Sequence, residues 1–262
     1  MTDRSVPLLA LRDYLDGYLR VAEVPDDANA LNGLQVENRG MVSRIVAAVD
    51  ASQATIDGLA SGPKGALLLV HHGLFWDGNQ PLVGRRYRRI SALLDRDAAL
   101  YSAHIPLDVH PQVGNNAVLA RWLGLTSTRS FGKHKGIDIG VMGSAHESAP
   151  TRSALVQRLA DVLAIDFAAI RLIPGGHEHI TQVGVITGGA GSAIAQARDA
   201  GCDTFISGEG AAHTYFDAME WGLNVIYAGH YATETVGVRA LAEHLGGHFD
   251  LPWEFHDHPT GM

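Results

Sequence analysis

The sequence predicts an α/β protein on three observations. Apolar runs of strand length alternate with amphipathic runs of helix length, the alternation resumes in the second half of the chain, and Gly, Pro or Asp brackets each helical run. That order of elements implies layered α/β packing. A short amphipathic stretch carrying Asp13 and Asp16 comes first. Strands are then expected at Arg44–Val49, Ala66–Val70 and Ala99–His104, with helices near Gln53–Ala60, Tyr87–Leu94 and Asn116–Leu123. The second half opens with a strand at Ile137–Met142 and a helix at Pro150–Leu163. Ser148 and Pro150 start that helix, because a hydroxyl caps free amides and proline is tolerated in a first turn. Strands follow at Ala169–Ile173 and Gln182–Ile186. After Gly188-Gly189-Ala190-Gly191 come a helix (Ala193–Ala200), a strand (Thr204–Ser207), a helix (Ala212–Glu220), a strand (Asn224–Ala228) and a closing helix (Thr233–Leu245). The polar run Thr126-Ser127-Thr128-Arg129-Ser130 marks a boundary near residues 125–132. The expected domains are therefore 1–128, completed by 235–262, and 129–234.

At 262 residues, 46% hydrophobic and 18% charged, the chain can bury a core without staples. Its single cysteine, Cys202, excludes an intrachain disulfide, a Cys-based zinc site and a CxxC motif, and suits a reducing compartment. The longest strongly apolar run, Ala66–Val70, is too short to span a bilayer, so a cytoplasmic protein without membrane insertion is expected. A formal charge of -8 argues against generic nucleic-acid binding, and bound divalent cations would offset part of it. Histidine is the commonest metal ligand, so the placement of the fourteen histidines matters.

Three segments place ligand-type residues where apolar strands end. Leu67-Leu68-Leu69-Val70, of the kind buried on both faces of a parallel sheet, runs into His71-His72-Gly73. Ligands bind at that C-terminal edge in open α/β sheets. Neighbouring strand residues face opposite ways, so both rings serve one cluster if the chain turns there, which Gly73 permits, or if each takes a different metal. The Ala99–His104 strand leads to Ile105-Pro106-Leu107-Asp108, where proline ends the ladder and a carboxylate follows at the same edge. The third strand, Val225–Ala228, turns at Gly229 into a helix on which His230 and Glu234, four apart, share a face. Each segment alone has an ordinary structural reading: hydrogen-bonded strand-end histidines, a turn-forming aspartate, a glutamate favoured by a helix dipole. Together three His, one Asp and one Glu suit two divalent cations, zinc, iron, manganese or nickel rather than copper(I). His104, Gln35 and Glu209 are candidates to orient those ligands or a bound water.

Other features read as structure. His177-Glu178-His179 follows Pro174-Gly175-Gly176 and reads as a hairpin loop. Phe255-His256-Asp257-His258-Pro259 reads as an exposed, mobile tail. Arg85-Arg86-Tyr87-Arg88-Arg89 reads as a solvated helix start, with a docking patch for phosphates or nucleic acid as the functional alternative. Gly184–Gly191 lacks GxGxxG or Walker spacing and reads as a turn.

Six ordered segments carry a family resemblance nearly end to end: Asn32-Gly33-Leu34-Gln35-Val36-Glu37, Val70-His71-His72-Gly73-Leu74-Phe75-Trp76, His104-Ile105-Pro106-Leu107-Asp108, Gly114-Asn115-Asn116-Ala117, Ser207-Gly208-Glu209 and Gly229-His230-Tyr231-Ala232-Thr233-Glu234. The chain resembles the Nif-three-like dinuclear metal centre proteins, often labelled GTP cyclohydrolase 1 type 2 homologues, and specifically their short bacterial YbgI-like branch. The resemblance implies two similar three-layer α/β domains with a metal cleft, and two ions at the positions matching His71, His72, Asp108, His230 and Glu234. It also implies a ring-shaped homohexamer and a metal-dependent hydrolase acting on a nucleotide, by name GTP. Two close ions would lower the pKa of a water and stabilise both attacking and leaving oxygens. A phosphoester is the second substrate class; the competing reading is a non-catalytic metal-binding scaffold or regulator.

Overall fold

A strand that is apolar on both faces belongs inside a sheet, and Ala66–His72 is the central strand of five, ordered Trp253–Phe255, Arg44–Asp50, Ala66–His72, Ala99–Ser102, Gly33–Val36. The structure, a computed structural model, describes residues 4–147 and 150–261. The inner strands run parallel, Trp253–Phe255 adds in parallel to Arg44–Asp50, and Gly33–Val36 closes the other side antiparallel. This sheet lies in the first of two compact units, the residues up to Leu107 with Val238–His258. Its core gathers Val46, Ile56, Leu68, Val70, Leu93 and Leu100.

The second unit comprises Asp108–Gly237 and the last residues from Pro259. Its six-stranded sheet centres on the parallel strands Gln182–Val185, Thr204–Ser207 and Asn224–Tyr227. Ile137–Ser144 and Arg171–Pro174 flank them antiparallel, and Thr126–His134 forms one edge. Phe131, Met142, Phe205 and Val225 belong to its core. The helix His230–Phe249 starts in this unit, and the division between units falls at Gly237/Val238 within it.

The structure is mixed α/β, and several details differ from expectation. The Ala66 strand continues through His72, whereas the Ala99 strand stops at Ser102 and Ile105–Asp108 forms a single helical turn. The polar run Thr126–Ser130, expected as a boundary, starts a strand, Thr126–His134. The compact units divide at Leu107/Asp108 rather than near residue 128, since the helix Asn115–Trp122 packs on Ile137–Ser144 and Gln182–Val185 of the second unit. Ser148 lies outside the described residues. The cap of Arg152–Leu163 is Thr151, whose hydroxyl accepts from Ala154 N at 3.1 Å. The tail is held, with Trp253–Phe255 in the sheet and His256 N donating to Ala47 O at 2.8 Å. Within the basic run, Arg85, Tyr87 and Arg88 are exposed, but Arg86 is buried and pins the preceding loop by donating to Gln80 O, Gly78 O and Asp77. Among the described residues no helix is long and apolar enough to cross a membrane.

Candidate metal centre

In the first unit the Ala66–His72 strand delivers a buried His71 and a half-buried His72, and His104 follows the neighbouring strand. His71 Nδ1 donates to Ala103 O at 2.8 Å. His72 Nδ1 donates to Asp50 Oδ1 at 2.9 Å, a contact that the sheet sets by pairing Asp50 with His72 in register. His104 Nδ1 donates to the Asp26 carboxylate at 2.9 and 3.1 Å. With Nδ1 so engaged, Nε2 is the nitrogen of each ring that could bind a metal. Although strand pairing extends through His72, the rings converge. Their centroids lie 4.7 Å apart for His71 and His72, 5.0 Å for His71 and His104, and 5.7 Å for His72 and His104. One ligand atom from each of the three lies within 4.8 Å of the others.

Two supports surround this triad. Gln35 Oε1 accepts from Leu74 N at 2.8 Å, while its Nε2 donates to Ala30 O and Leu31 O at 3.1 and 3.0 Å. The amide lies over Gly73, where a Cβ would fall 2.2 Å from Nε2, so Gln35 fixes the turn after the histidine pair. Asp26, with a side chain 6% exposed, also accepts from Ile105 N and Asn32 Nδ2 at 2.9 and 2.8 Å. Burial pushes its pKa up, but hydrogen bonding and charge from His104, with the bonds from Asn32 and Asp27 N–H, outweigh it and bring it to about 2. Trp76 packs edge-on against His104, centroids 4.8 Å apart at 82°. Asp26 and Asp50 escaped the sequence reading, in which Trp76 figured only as part of a resemblance motif, with no role. Asp50 had a signal, a carboxylate ending the strand beside Ala66–His72; Asp26 sits in irregular chain and had none.

In the second unit Asp108 is buried, and its Oδ1 accepts from Asn115 Nδ2 at 2.8 Å. Asn115 Oδ1 in turn accepts from Gly237 N at 2.7 Å. Asn116 Nδ2 donates to Ile139 O and its Oδ1 accepts from Thr187 N, both at 2.8 Å, so the Asn115-Asn116 pair ties the aspartate to its surroundings. His230 and Glu234 stand one turn apart at the head of their helix, His230 Nε2 being 3.1 Å from Glu234 Oε1. Glu209 Oε1 accepts from His230 Nδ1 at 2.8 Å. Glu234, first, and Glu209 push the His230 pKa up to about 9 against the opposing effect of burial. Gly188, with φ +69°, borders the buried Glu234, and a Cβ there would stand 2.2 Å from Oε1. The Gly188–Gly191 segment, expected only as a turn, therefore walls the carboxylate.

The donors fit a divalent cation: imidazoles oriented through their second nitrogen, and buried carboxylates whose charge a cation would offset. Chemically the protein is of the α/β class with a histidine–carboxylate cluster that could bind a metal. Residues 10–259 match the model of the Duf34/NIF3 (NGG1p interacting factor 3) family, and the chain belongs to that family. A relative from Deinococcus radiodurans, called GTP cyclohydrolase 1 type 2 homolog, is 44% identical over 95% of this chain and 92% of its own. A Pseudomonas aeruginosa relative of the same name is 38% identical over 98% and 99%. Among solved structures, TTHA1606 from Thermus thermophilus is 40% identical with a TM-score of 0.85, over 98% of this chain and 100% of its own. The protein ybgI, described as of unknown function, is 35% identical with a TM-score of 0.87 over the same shares, 98% and 100%.

Proposed function

We propose that this chain is a metal-dependent hydrolase acting on a nucleotide, with two divalent cations held jointly by His71, His72, Asp108, His230 and Glu234. The observation that carries the reading is the hydrogen bonding behind the imidazoles: Ala103 O holds His71, Asp50 holds His72 and Glu209 holds His230, each at Nδ1. Such partners fix the tautomer and direction of a metal-binding ring. Zinc, iron, manganese and nickel all suit this donor set. When bound, a cation pair supplies Lewis acidity and lowers the pKa of a coordinated water. The chain's own part is to aim Nε2 through these bonds, to hold the Asp108 carboxylate through Asn115, and to orient His104 through Asp26. The relatives' name favours GTP as the nucleotide, and the family resemblance favours a cytoplasmic homohexamer, which light scattering of the purified protein tests.

Elemental analysis of the purified protein, then a screen of nucleotides and phosphoesters with and without chelator, tests the function. Asp108→Asn is expected to lose turnover even where some metal remains. Fully loaded protein that turns over none of the screened compounds would instead make the ions structural and the chain a scaffold.

A further inference from the structure

We infer that the arginines opening the helix Gly84–Asp95 form an anion site in the first unit, beside the His72 end of its sheet, that takes the phosphate chain of a nucleotide. The ligand's identity rests on the nucleotide reading above, whereas the site rests on where these side chains stand. Ala66–His72 and Ala99–Ser102 pair in parallel, and the helix between them packs Ile90 and Leu93 into the sheet's core. A helix joining two parallel neighbours starts at the edge where the first strand ends. That edge presents His71 and His72. The first turns of the helix carry Arg85, Arg86, Arg88 and Arg89 and no acidic residue.

Two carboxylates tie this cluster to the histidines. Asp77 follows Trp76, whose ring packs edge-on against His104 and His72 with centroids 4.8 and 5.9 Å away. Asp77 Oδ1 accepts from Arg86 Nη2 at 3.0 Å, and its Oδ2 lies 4.0 Å from Arg85 Nη2. Arg89, one turn beyond Arg85 on the same face, interacts electrostatically with Asp77 and with Asp50, the carboxylate that accepts from His72. Three guanidiniums thus share two carboxylates, one of which also serves His72. The imbalance shows in the side chains themselves. The Nε atoms of Arg86 and Arg89 are buried without a hydrogen-bond partner. Burial, then the charge of Arg85, lowers the Arg89 pKa, and the two aspartates do not offset them. Val83 gives the helix no side-chain cap, so its first amides add positive partial charge. A guanidinium is a planar fork that matches phosphate oxygens. A phosphate chain, with negative oxygens along its length, can answer several such forks together.

Calorimetric titration of the metal-loaded full chain with inorganic triphosphate tests this. Triphosphate is expected to bind, and to bind more weakly as salt rises. The double variant Arg85→Gln/Arg89→Gln is expected to lose about tenfold or more in affinity, with its metal content unchanged by elemental analysis. Arg96→Gln, at the other end of the same helix, is expected to bind like the parent. Should the double variant lose metal, Arg85→Gln alone decides, since that side chain is 70% exposed. No binding at millimolar triphosphate, parent-like affinity in the deciding variant, or an equal loss in Arg96→Gln overturns the proposal. The hydrolase reading fails separately. Arginine-dependent triphosphate binding without turnover of any nucleotide leaves the anion site standing, whereas nucleotide turnover with an unchanged KM in the double variant removes the site and leaves the hydrolase.

Discussion

Asp26 holds its charge by hydrogen bonds rather than by exposure, and this fixes the sign of its pH effect. Its carboxyl titrates at about 2 in the folded chain against an ordinary 3.8. A depressed carboxyl stabilises the fold fully above its unfolded pKa and loses that contribution as pH falls through the folded one. The window is thus from about pH 4 down to about 2, and the contribution is about 2 kcal/mol. Asp26→Asn should be less stable than the parent at pH 7, and the difference should shrink as both are acidified through that window. Urea unfolding at several pH values measures it; a constant difference would refute the assignment. Gly188→Ala should lower metal content and destabilise by about 1–3 kcal/mol, because it adds left-handed strain and a methyl group against Glu234. Normal loading by elemental analysis would show that Glu234 is not confined there. Burial, then Asp203, pushes the Cys202 thiol up to about 12, so a disulfide reagent at pH 8 should label it only after denaturant is added.

At the scale of elements, the edge strand Trp253–Phe255 is fastened by a buried guanidinium. Arg44 Nη1 donates to Glu254 Oε1 at 2.5 Å, with Nε and Nη2 on Pro63 O and Leu59 O at 3.0 and 2.8 Å. Glu254→Ala leaves that charge in place with one partner fewer. A cost of about 1–2 kcal/mol is expected, held down because the glutamate side is half exposed, and equilibrium unfolding against the parent reads it. This strand also shows what the sequence could not reveal. Thr204–Ser207 and Asn224–Tyr227 were legible because strands covered on both faces read as unbroken apolar runs. Thr126–His134 and Trp253–Phe255 are largely exposed edges, so neither shows that pattern. The same limit governs the site. His71, His72, Asp108, His230 and Glu234 stood out because Gly or Pro breaks an apolar strand beside them. Asp50 left a faint signal as a carboxylate at a strand end, but its partner His72, 22 positions away, emerged only from register, and Asp26 became visible only through its bond to a residue 78 positions away.

At the scale of the whole molecule, the first unit is discontinuous in sequence, since Val238–His258 returns to it after the long Asp108–Gly237 segment of the second unit. That segment brings more than an edge strand. Val238, Leu241, Leu245 and Leu251 are buried, Tyr14 hydrogen-bonds His244 at 2.7 Å, and Tyr14 stacks on His248 with centroids 4.1 Å apart. Burying side chains of this size contributes about 1.5–3 kcal/mol each, so the four together rival the net stability of a typical domain. Without the segment, Arg44–Asp50 would also become an unpaired edge and Arg44 would lose Glu254. A chain ending at Leu107 is therefore expected not to fold, although it contains His71, His72 and His104. A synthetic peptide covering Val238–His258, added in excess, should restore part of the structure by binding the folded form alone. Circular dichroism and amide exchange of the fragment, with and without the peptide, decide it. Cooperative unfolding of the fragment by itself would show that the returning segment is dispensable, and that the first unit's stability lies wholly in its N-terminal sheet.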